Sequence, residues 1–274
     1  MRGKKQTRLK PNGTCKLTGE IGKLVKSHII PAALTKPAYE GAMLFQHGPG
    51  RRAQKRRTSW YDQSIVTQKG EDLLKEIDTV GIRILRENRL VWSGFGPMES
   101  IRLDGKFDYI DPSLIEYGFR VIQVKNPEAL RKFFLSLLWR ASVSNLPEMA
   151  EVRLQEDIQT QIGHYLAGEI PLPIKFYPCT MVQHPQIGLI HNQTPTAGSK
   201  SFGNEERAIS YDTVRFYFDG LVLNFHFSDE ENALDRFENN MTVGYSQELL
   251  VPCVPWNKSR QLEGVIFTAK ESLW

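Results

Sequence analysis

Cysteine is scarce in this sequence. Only three cysteines occur among 274 residues, and they are far apart, at Cys15, Cys179 and Cys253. An odd number of widely separated cysteines argues against a disulfide framework and favours a reducing compartment, so we expect a cytoplasmic protein. Cys179 and Cys253 have apolar neighbours, and we expect both to be small buried core residues.

Long apolar runs are missing too, and so are the signature motifs of several large enzyme classes. No stretch approaches the roughly 18 apolar residues that a membrane helix needs, and the basic N-terminus lacks the apolar part of a secretory signal. We therefore expect no membrane association. The absence of P-loop, G-x-G-x-x-G and G-x-S-x-G motifs leaves ATP hydrolysis, dinucleotide binding and α/β-hydrolase chemistry without support.

Acidic residues are rare at the N-terminal end. Residues 1–57 contain 14 lysines and arginines but only two acids, a net charge of +12. The rest of the chain holds 21 of the 35 basic residues and 29 of the 31 acids, a net charge of −8. A basic block beside an acidic remainder is typical of proteins that bind phosphate backbones, so we favour nucleic acid as the partner. The alternative is a solvated tail with a basic loop that touches an acidic partner. The acidic C-terminal part could itself engage a protein partner.

Two helices stand out from their periodicity. Residues 70–88 carry apolar side chains at three- and four-residue spacing with charges on the other face. Asn126 and Pro127 suit the N-cap and first positions of a second helix, over residues 127–144. That helix is too apolar for a surface position, which predicts the centre of a core.

The strongest strand signal lies near residues 213–227. Two alternating runs flank Asp219-Gly220, the pair typical of a type I′ hairpin turn. Residues 41–57 and 192–210 are rich in turn-forming or charged residues, and we expect loops there. Helices and an antiparallel hairpin together predict an α+β fold.

Three segments are similar to those of a known family. They are Cys15-Lys16-Leu17-Thr18, Ser27-His28-Ile29-Ile30-Pro31, and Thr67-Gln68-Lys69-Gly70-Glu71 at a helix start. In this order they resemble an HNH endonuclease module of the ββα-metal or treble-clef type. The segment 135–142 also resembles the region that follows such a module in some bacterial proteins.

The resemblance implies a fold, an activity and a cofactor. It implies a small HNH-like nucleic-acid-binding module over residues 1–110, packed on an α+β accessory domain over residues 111–274. It further implies cleavage of DNA phosphodiesters with Mg²⁺ or another divalent cation, in a bacterial or phage defence setting, and therefore favours DNA over RNA as the partner. His28 matches the general base. Asp62 falls where an asparagine orients that base, and Glu71 falls where a histidine binds the metal, so Asp62 and Glu71 become the candidate metal ligands.

The basic residues around this motif are the candidate phosphate contacts. They are Lys26, Arg51, Arg52, Lys55, Arg56 and Arg57. Simple counter-ion attraction to a polyanion requires no particular spacing of these charges.

The departures from the family pattern leave other interpretations open. The family pattern has two Cys-x-x-Cys knuckles that together hold a zinc ion. Of these four cysteines only Cys15 is present, because Thr18, Thr67 and Gly70 occupy the other three positions. A single thiolate cannot build a tetrahedral site, so we expect no structural zinc. His28 could be a structural histidine, Glu71 an acid that complements the helix dipole, and Asp62 a turn residue. The second hypothesis is therefore a catalytically inactive HNH-fold subunit that binds nucleic acid or serves assembly, and the third a protein-interaction module.

Overall fold

The computed structural model describes residues 12–36, 44–48, 51–56, 58–106, 117–202, 209–230 and 232–271. Within these ranges the protein is α+β, as the sequence predicts, with four α-helices and several β-sheets. None of the described helices is long and apolar enough to cross a membrane.

The four helices are α1 (Gln68–Glu87), α2 (Pro127–Val143), α3 (Glu156–Ala167) and α4 (Arg260–Glu271). The two predicted helices, α1 and α2, begin and end within two residues of their predicted bounds. Asn126 caps α2 as predicted, because its side-chain oxygen accepts a hydrogen bond from the Ala129 N–H at 3.0 Å. Gly168 ends α3 with a φ of +82°, a conformation that glycine adopts without strain.

Fourteen strands occur in the described residues. They are β1 (Asn12–Thr14), β2 (Ile21–Lys23), β3 (Ser27–His28), β4 (Leu44–Gly48), β5 (Arg51–Arg56), β6 (Tyr61–Asp62), β7 (Gly105–Lys106), β8 (Gly118–Gln123), β9 (Cys179–Gln183), β10 (His191–Gln193), β11 (Thr196–Phe202), β12 (Ile209–Phe218), β13 (Leu221–Phe227) and β14 (Glu248–Cys253). Seven of them form one mixed sheet in the order β11-β12-β13-β9-β14-β8-β7. Within it only β14 and β9 run parallel.

The predicted hairpin lies within this sheet. β12 and β13 pair antiparallel from Asp212 opposite Phe227 to Phe218 opposite Leu221. Asp219 and Gly220 have φ values of 49° and 79°, as a type I′ turn requires. The Asp-Gly signal is therefore confirmed.

Both expected loops are wrong in part. Residues 44–48 and 51–56 form β4 and β5, which pair antiparallel as the β4–β5 hairpin, and β4 also pairs in parallel with β10. Residues 196–202 form β11, an edge strand of the large sheet. Glycines, prolines and charges dominate both stretches, but main-chain hydrogen bonding depends little on side-chain polarity at a sheet edge.

One hydrophobic core joins both halves of the chain. It includes Leu74 and Leu85 of α1, Phe133 and Leu137 of α2, and apolar side chains of the large sheet such as Phe216. The predicted boundary between residues 110 and 111 lies outside the described residues. The α2 helix is buried around nearly its whole circumference, which is the central position that its composition predicts.

The contact between α1 and α2 is unusually close at one point. A Cβ atom at Gly81 of α1 would lie 2.1 Å from Cγ of Phe133 in α2. Only a residue without a Cβ fits there. This contact fixes α1, and with it the candidate site, against the central helix.

Cys179 and Cys253 lie in the core as predicted, with at most 1% of their surface exposed. All three cysteines are free.

Candidate functional site

Two short strands and one helix carry the predicted catalytic residues. β3 pairs antiparallel with β6, so that Ser27 lies opposite Asp62 and His28 lies opposite Tyr61. Directly opposed residues share a face of a ladder, while successive residues alternate between faces. His28 therefore lies on the same face as Tyr61, and Asp62 lies on the other face. The helix α1 begins six residues after Asp62.

His28 and Glu71 line one open cleft of about 550 Å³. The end of β3 forms one side of the cleft, and a single face of α1 forms the other. That face carries Glu71, Lys75 and Asp78, which follow one another at helical spacing. The structure thus brings the predicted base and one predicted metal ligand together.

His28 is half-buried, and its ring meets Tyr61 edge-on with 6.1 Å between ring centroids. Burial lowers the pKa of His28, and the positive charges of Lys26 and Arg140 lower it further. The imidazole is therefore neutral at neutral pH and can accept a proton.

Glu71 lies in the first turn of α1. Burial raises its pKa, although Ser27 and the charge of Arg140 favour the ionised form. Ser27 Oγ and Glu71 Oε2 are both buried, and neither atom forms a hydrogen bond of ordinary geometry. Glu71 therefore offers one unpaired carboxylate oxygen.

A buried arginine from α2 connects the parts of this cleft. The side chain of Arg140 is only 1% exposed, and its guanidinium forms a two-bond ion pair with Asp78 of α1. The same guanidinium donates a hydrogen bond of 2.9 Å to the main-chain carbonyl of His28. A further bond of 2.9 Å reaches the Ser136 hydroxyl. Arg140 therefore holds β3, α1 and α2 in a fixed arrangement and places a permanent positive charge beside the cleft.

Asp62 is engaged elsewhere. The N–H and hydroxyl of Ser64 donate to one carboxylate oxygen at 2.8 and 2.6 Å, and the hydroxyl of Ser144 and the N–H of Asn145 donate to the other at 2.7 and 3.3 Å. Burial alone raises the pKa of Asp62, but these bonds outweigh it and leave the pKa below its ordinary value. The structure does not bring Asp62 to His28. The carboxylate of Asp62 instead connects β6 to the C-terminal end of α2.

The four positions of the knuckle pattern do meet in space. Cys15 is 1% exposed, and hydrogen bonds from Thr18 and Thr67 lower the pKa of its thiol more than burial raises it. A Cβ atom at Gly70 would lie 2.7 Å from the Cys15 sulfur. The resemblance predicts this convergence. One thiol packed against two threonines and a glycine offers no set of zinc ligands.

The candidate phosphate contacts on β5 do not line the cleft, whereas Lys26 lies close enough to His28 for its charge to lower the pKa of that histidine. Lys26, Arg52, Lys55 and Arg56 are exposed, and Arg52, Lys55 and Arg56 lie on β5, an edge strand. Arg52 lines a different, smaller cavity with Trp60. The side chain of Arg51 and the whole of Arg57 lie outside the described residues.

The described residues do not fit the divalent-cation site that the resemblance implies. Among them, no group of three or more histidine, cysteine or acidic side chains converges to hold a metal ion. Asp62 is saturated with hydrogen bonds, and Asp78 is paired with a guanidinium. The charge of Arg140 opposes a second cation beside Glu71.

Sequence reasoning missed Asp78 and Arg140. Asp78 had a local signal, because it lies seven residues after Glu71 and thus on the same face of α1. The signal for Arg140 was weaker. It is a charged residue inside an apolar helix, and such a residue is rarely buried without a partner.

Comparisons of the chain with models of protein families, with characterised proteins and with solved structures found no match. The function is therefore inferred from the geometry above and from the sequence resemblance.

Proposed function

We propose that this chain is a catalytically inactive nucleic-acid-binding protein on an HNH-like strand–strand–helix scaffold. The observation that carries the proposal is the buried Arg140–Asp78 ion pair in the cleft of His28 and Glu71. The Arg140 guanidinium balances the negative charge of Asp78, so no metal ion is needed to neutralise that carboxylate.

The scaffold part of the proposal rests on chain order. β3, β6 and α1 occur in the order of the two strands and the helix of such a module, with β4 and β5 inserted between β3 and β6, and His28 lies on the first strand. The convergence of Thr18, Thr67 and Gly70 on Cys15 supports the same assignment.

The binding part rests on exposed positive charge. β5 presents Arg52, Lys55 and Arg56 to solvent at the edge of a three-stranded sheet, and Lys26 Nζ lies 3.9 Å from the centre of the Tyr61 ring. Lysines and arginines along such an edge can contact the phosphates of a nucleic-acid backbone. Edge-strand charges also prevent aggregation, so exposure alone does not establish binding.

The test is the salt dependence of DNA binding, measured by fluorescence anisotropy with a labelled duplex. Four phosphate contacts predict that affinity falls about 150-fold between 50 and 200 mM salt. Replacing Arg52, Lys55 and Arg56 with glutamine should reduce the slope of log affinity against log salt by about 3.

A matched control removes the same number of charges elsewhere. Arg102, Lys125 and Arg153 are equally exposed, and their replacement with glutamine should leave the slope nearly unchanged. Absence of binding at low salt, or equal effects of the two triple variants, would contradict the proposal.

A metal-dependent nuclease acting on DNA phosphodiesters is the second candidate. It is favoured by a neutral, half-buried His28 that lines the same cleft as Glu71. In that case His28 takes a proton from the attacking water, and cleavage with Mg²⁺ is lost in the His28→Ala variant. The inactive scaffold predicts no cleavage by either protein.

A further inference from the structure

A second cleft, of about 540 Å³, lies on the large sheet away from His28. Its floor is the face of β11, β12 and β13 opposite the hydrophobic core. Arg215 on β12 lies between Thr196 on β11 and Asn224 on β13, and all three line the cleft. The segment that leads into α4 forms a wall, with Ser259 and Arg260.

The charge of this cleft has one sign. Four basic side chains line it, and no aspartate or glutamate is among the described residues that do so. The four are Lys200, Arg215, Lys258 and Arg260. The C-terminal part of the chain has a net negative charge, so a purely positive concave surface there is not a consequence of composition.

Arg215 is the most enclosed of these cations. One of its terminal nitrogens donates to Gln261 Oε1 at 3.1 Å, while its Nε is buried without a partner. Burial lowers the pKa of Arg215, and Arg260 lowers it further. The pKa of Lys200 is lowered by desolvation at the cleft wall and by the charges of both arginines. The three cations therefore repel one another, and an anion between them relieves that repulsion.

Neutral donors complete the lining. Thr196 and Asn224, which flank Arg215, provide a hydroxyl and an amide, and the N-terminus of α4 borders the cleft at Arg260. A helix N-terminus favours negative charge through its dipole and its free N–H groups. Arginine adds a planar donor pair that matches two phosphate oxygens.

We infer that this cleft binds a small phosphate-bearing ligand of about mononucleotide size. Its volume lies in the range of small-molecule sites, roughly 300 to 1,000 Å³. Its cations converge inside a concavity, whereas contacts to a polynucleotide backbone form an extended track. This site is formed by other elements than the proposed nucleic-acid surface on β5 and does not depend on it.

The experiment titrates the full chain with inorganic phosphate, pyrophosphate, AMP, ADP and ATP at constant ionic strength, by calorimetry and by thermal shift. At least one of these probes should bind with a Kd below about 1 mM and raise the melting temperature. Comparing phosphate with AMP, and AMP with ATP, distinguishes recognition of the phosphate group from recognition of the nucleoside.

Two variants test the assignment. Arg260 is exposed, so Arg260→Gln should fold normally and weaken binding about tenfold, and Arg215→Gln should weaken it further. Arg153→Gln, an exposed arginine outside the cleft, should have no effect. The inference is overturned if no probe binds up to about 10 mM, or if binding is unchanged in Arg260→Gln. Tighter binding of a short single-stranded oligonucleotide than of any mononucleotide would assign the cleft to a polynucleotide backbone and overturn it too.

Discussion

Removing the carboxylate of Asp78 should destabilise the protein more than any exposed charge substitution. Asp78→Asn leaves the Arg140 guanidinium buried and without its counter-charge, because the side chain of Arg140 is 1% exposed. Breaking one partner of a buried ion pair costs roughly 3–5 kcal/mol. The side chain of Asp78 is itself 19% exposed, so we expect a loss near the lower end, about 3 kcal/mol.

A double-mutant cycle separates the pair from its surroundings. Arg140→Met should also cost about 3 kcal/mol, since the carbonyl of His28 and the carboxylate of Asp78 lose a donor. The double variant Asp78→Asn/Arg140→Met removes both charges, and we expect a total loss of about 3–4 kcal/mol instead of the sum of about 6.

The assay is equilibrium unfolding in urea, with the requirement that the m-value stays constant. Glu20→Gln is the control, because the Glu20–Lys69 pair is exposed and separated by 3.8 Å. It should cost less than about 1 kcal/mol. If Asp78→Asn costs no more than Glu20→Gln, the ion pair between Arg140 and Asp78 does not hold α1 and α2 together.

Two further predictions concern packing and pH. Gly81→Ala should destabilise the protein by about 1–3 kcal/mol, because the added methyl group would clash with the Phe133 ring of α2. Gly264→Ala in α4 has open space around its Cβ and should stabilise the protein by up to about 1 kcal/mol. Chemical denaturation of both variants measures the two changes. Burial lowers the pKa of His47 to about 4 and the pKa values of His191 and His226 to about 3, so acid favours the unfolded chain, whose histidines titrate near 6.5. All three histidines contribute fully above pH 6.5, and at pH 5 each costs about 2 kcal/mol of stability. Burial raises the pKa of Asp219 to about 6, and this group offsets about 1 kcal/mol of that loss. The free energies of unfolding at pH 7 and pH 5 should therefore differ by about 4–5 kcal/mol, and equal stability at the two pH values would refute the assignment of neutral buried histidines.

Local signals in the sequence predicted much of the fold. The periodicity of α1, the Asn126 cap of α2 and the Asp219-Gly220 turn each depend on neighbouring residues alone, and each was confirmed. The β4–β5 hairpin was not recognised, because its second strand is a run of charged residues that pairs through the main chain.

The site was predictable only to the extent that motif order reflects spatial order. His28 and Glu71 are 43 positions apart in the sequence and lie in one cleft, as the resemblance implies. Asp62 follows the motif, but its carboxylate is taken up by Ser64 and Ser144. The Asp78–Arg140 pair spans 62 positions between two helices. Only the crossing of α1 and α2 brings these two residues together, and no local pattern encodes that crossing.

The most direct test of the central claim measures binding and cleavage in the same samples. Wild-type protein and the His28→Ala variant are incubated with supercoiled plasmid and with labelled duplex DNA, each with Mg²⁺, Mn²⁺ or EDTA. The inactive scaffold predicts salt-sensitive binding by both proteins and cleavage by neither. Metal-dependent cleavage that disappears in His28→Ala would contradict it and establish an active nuclease.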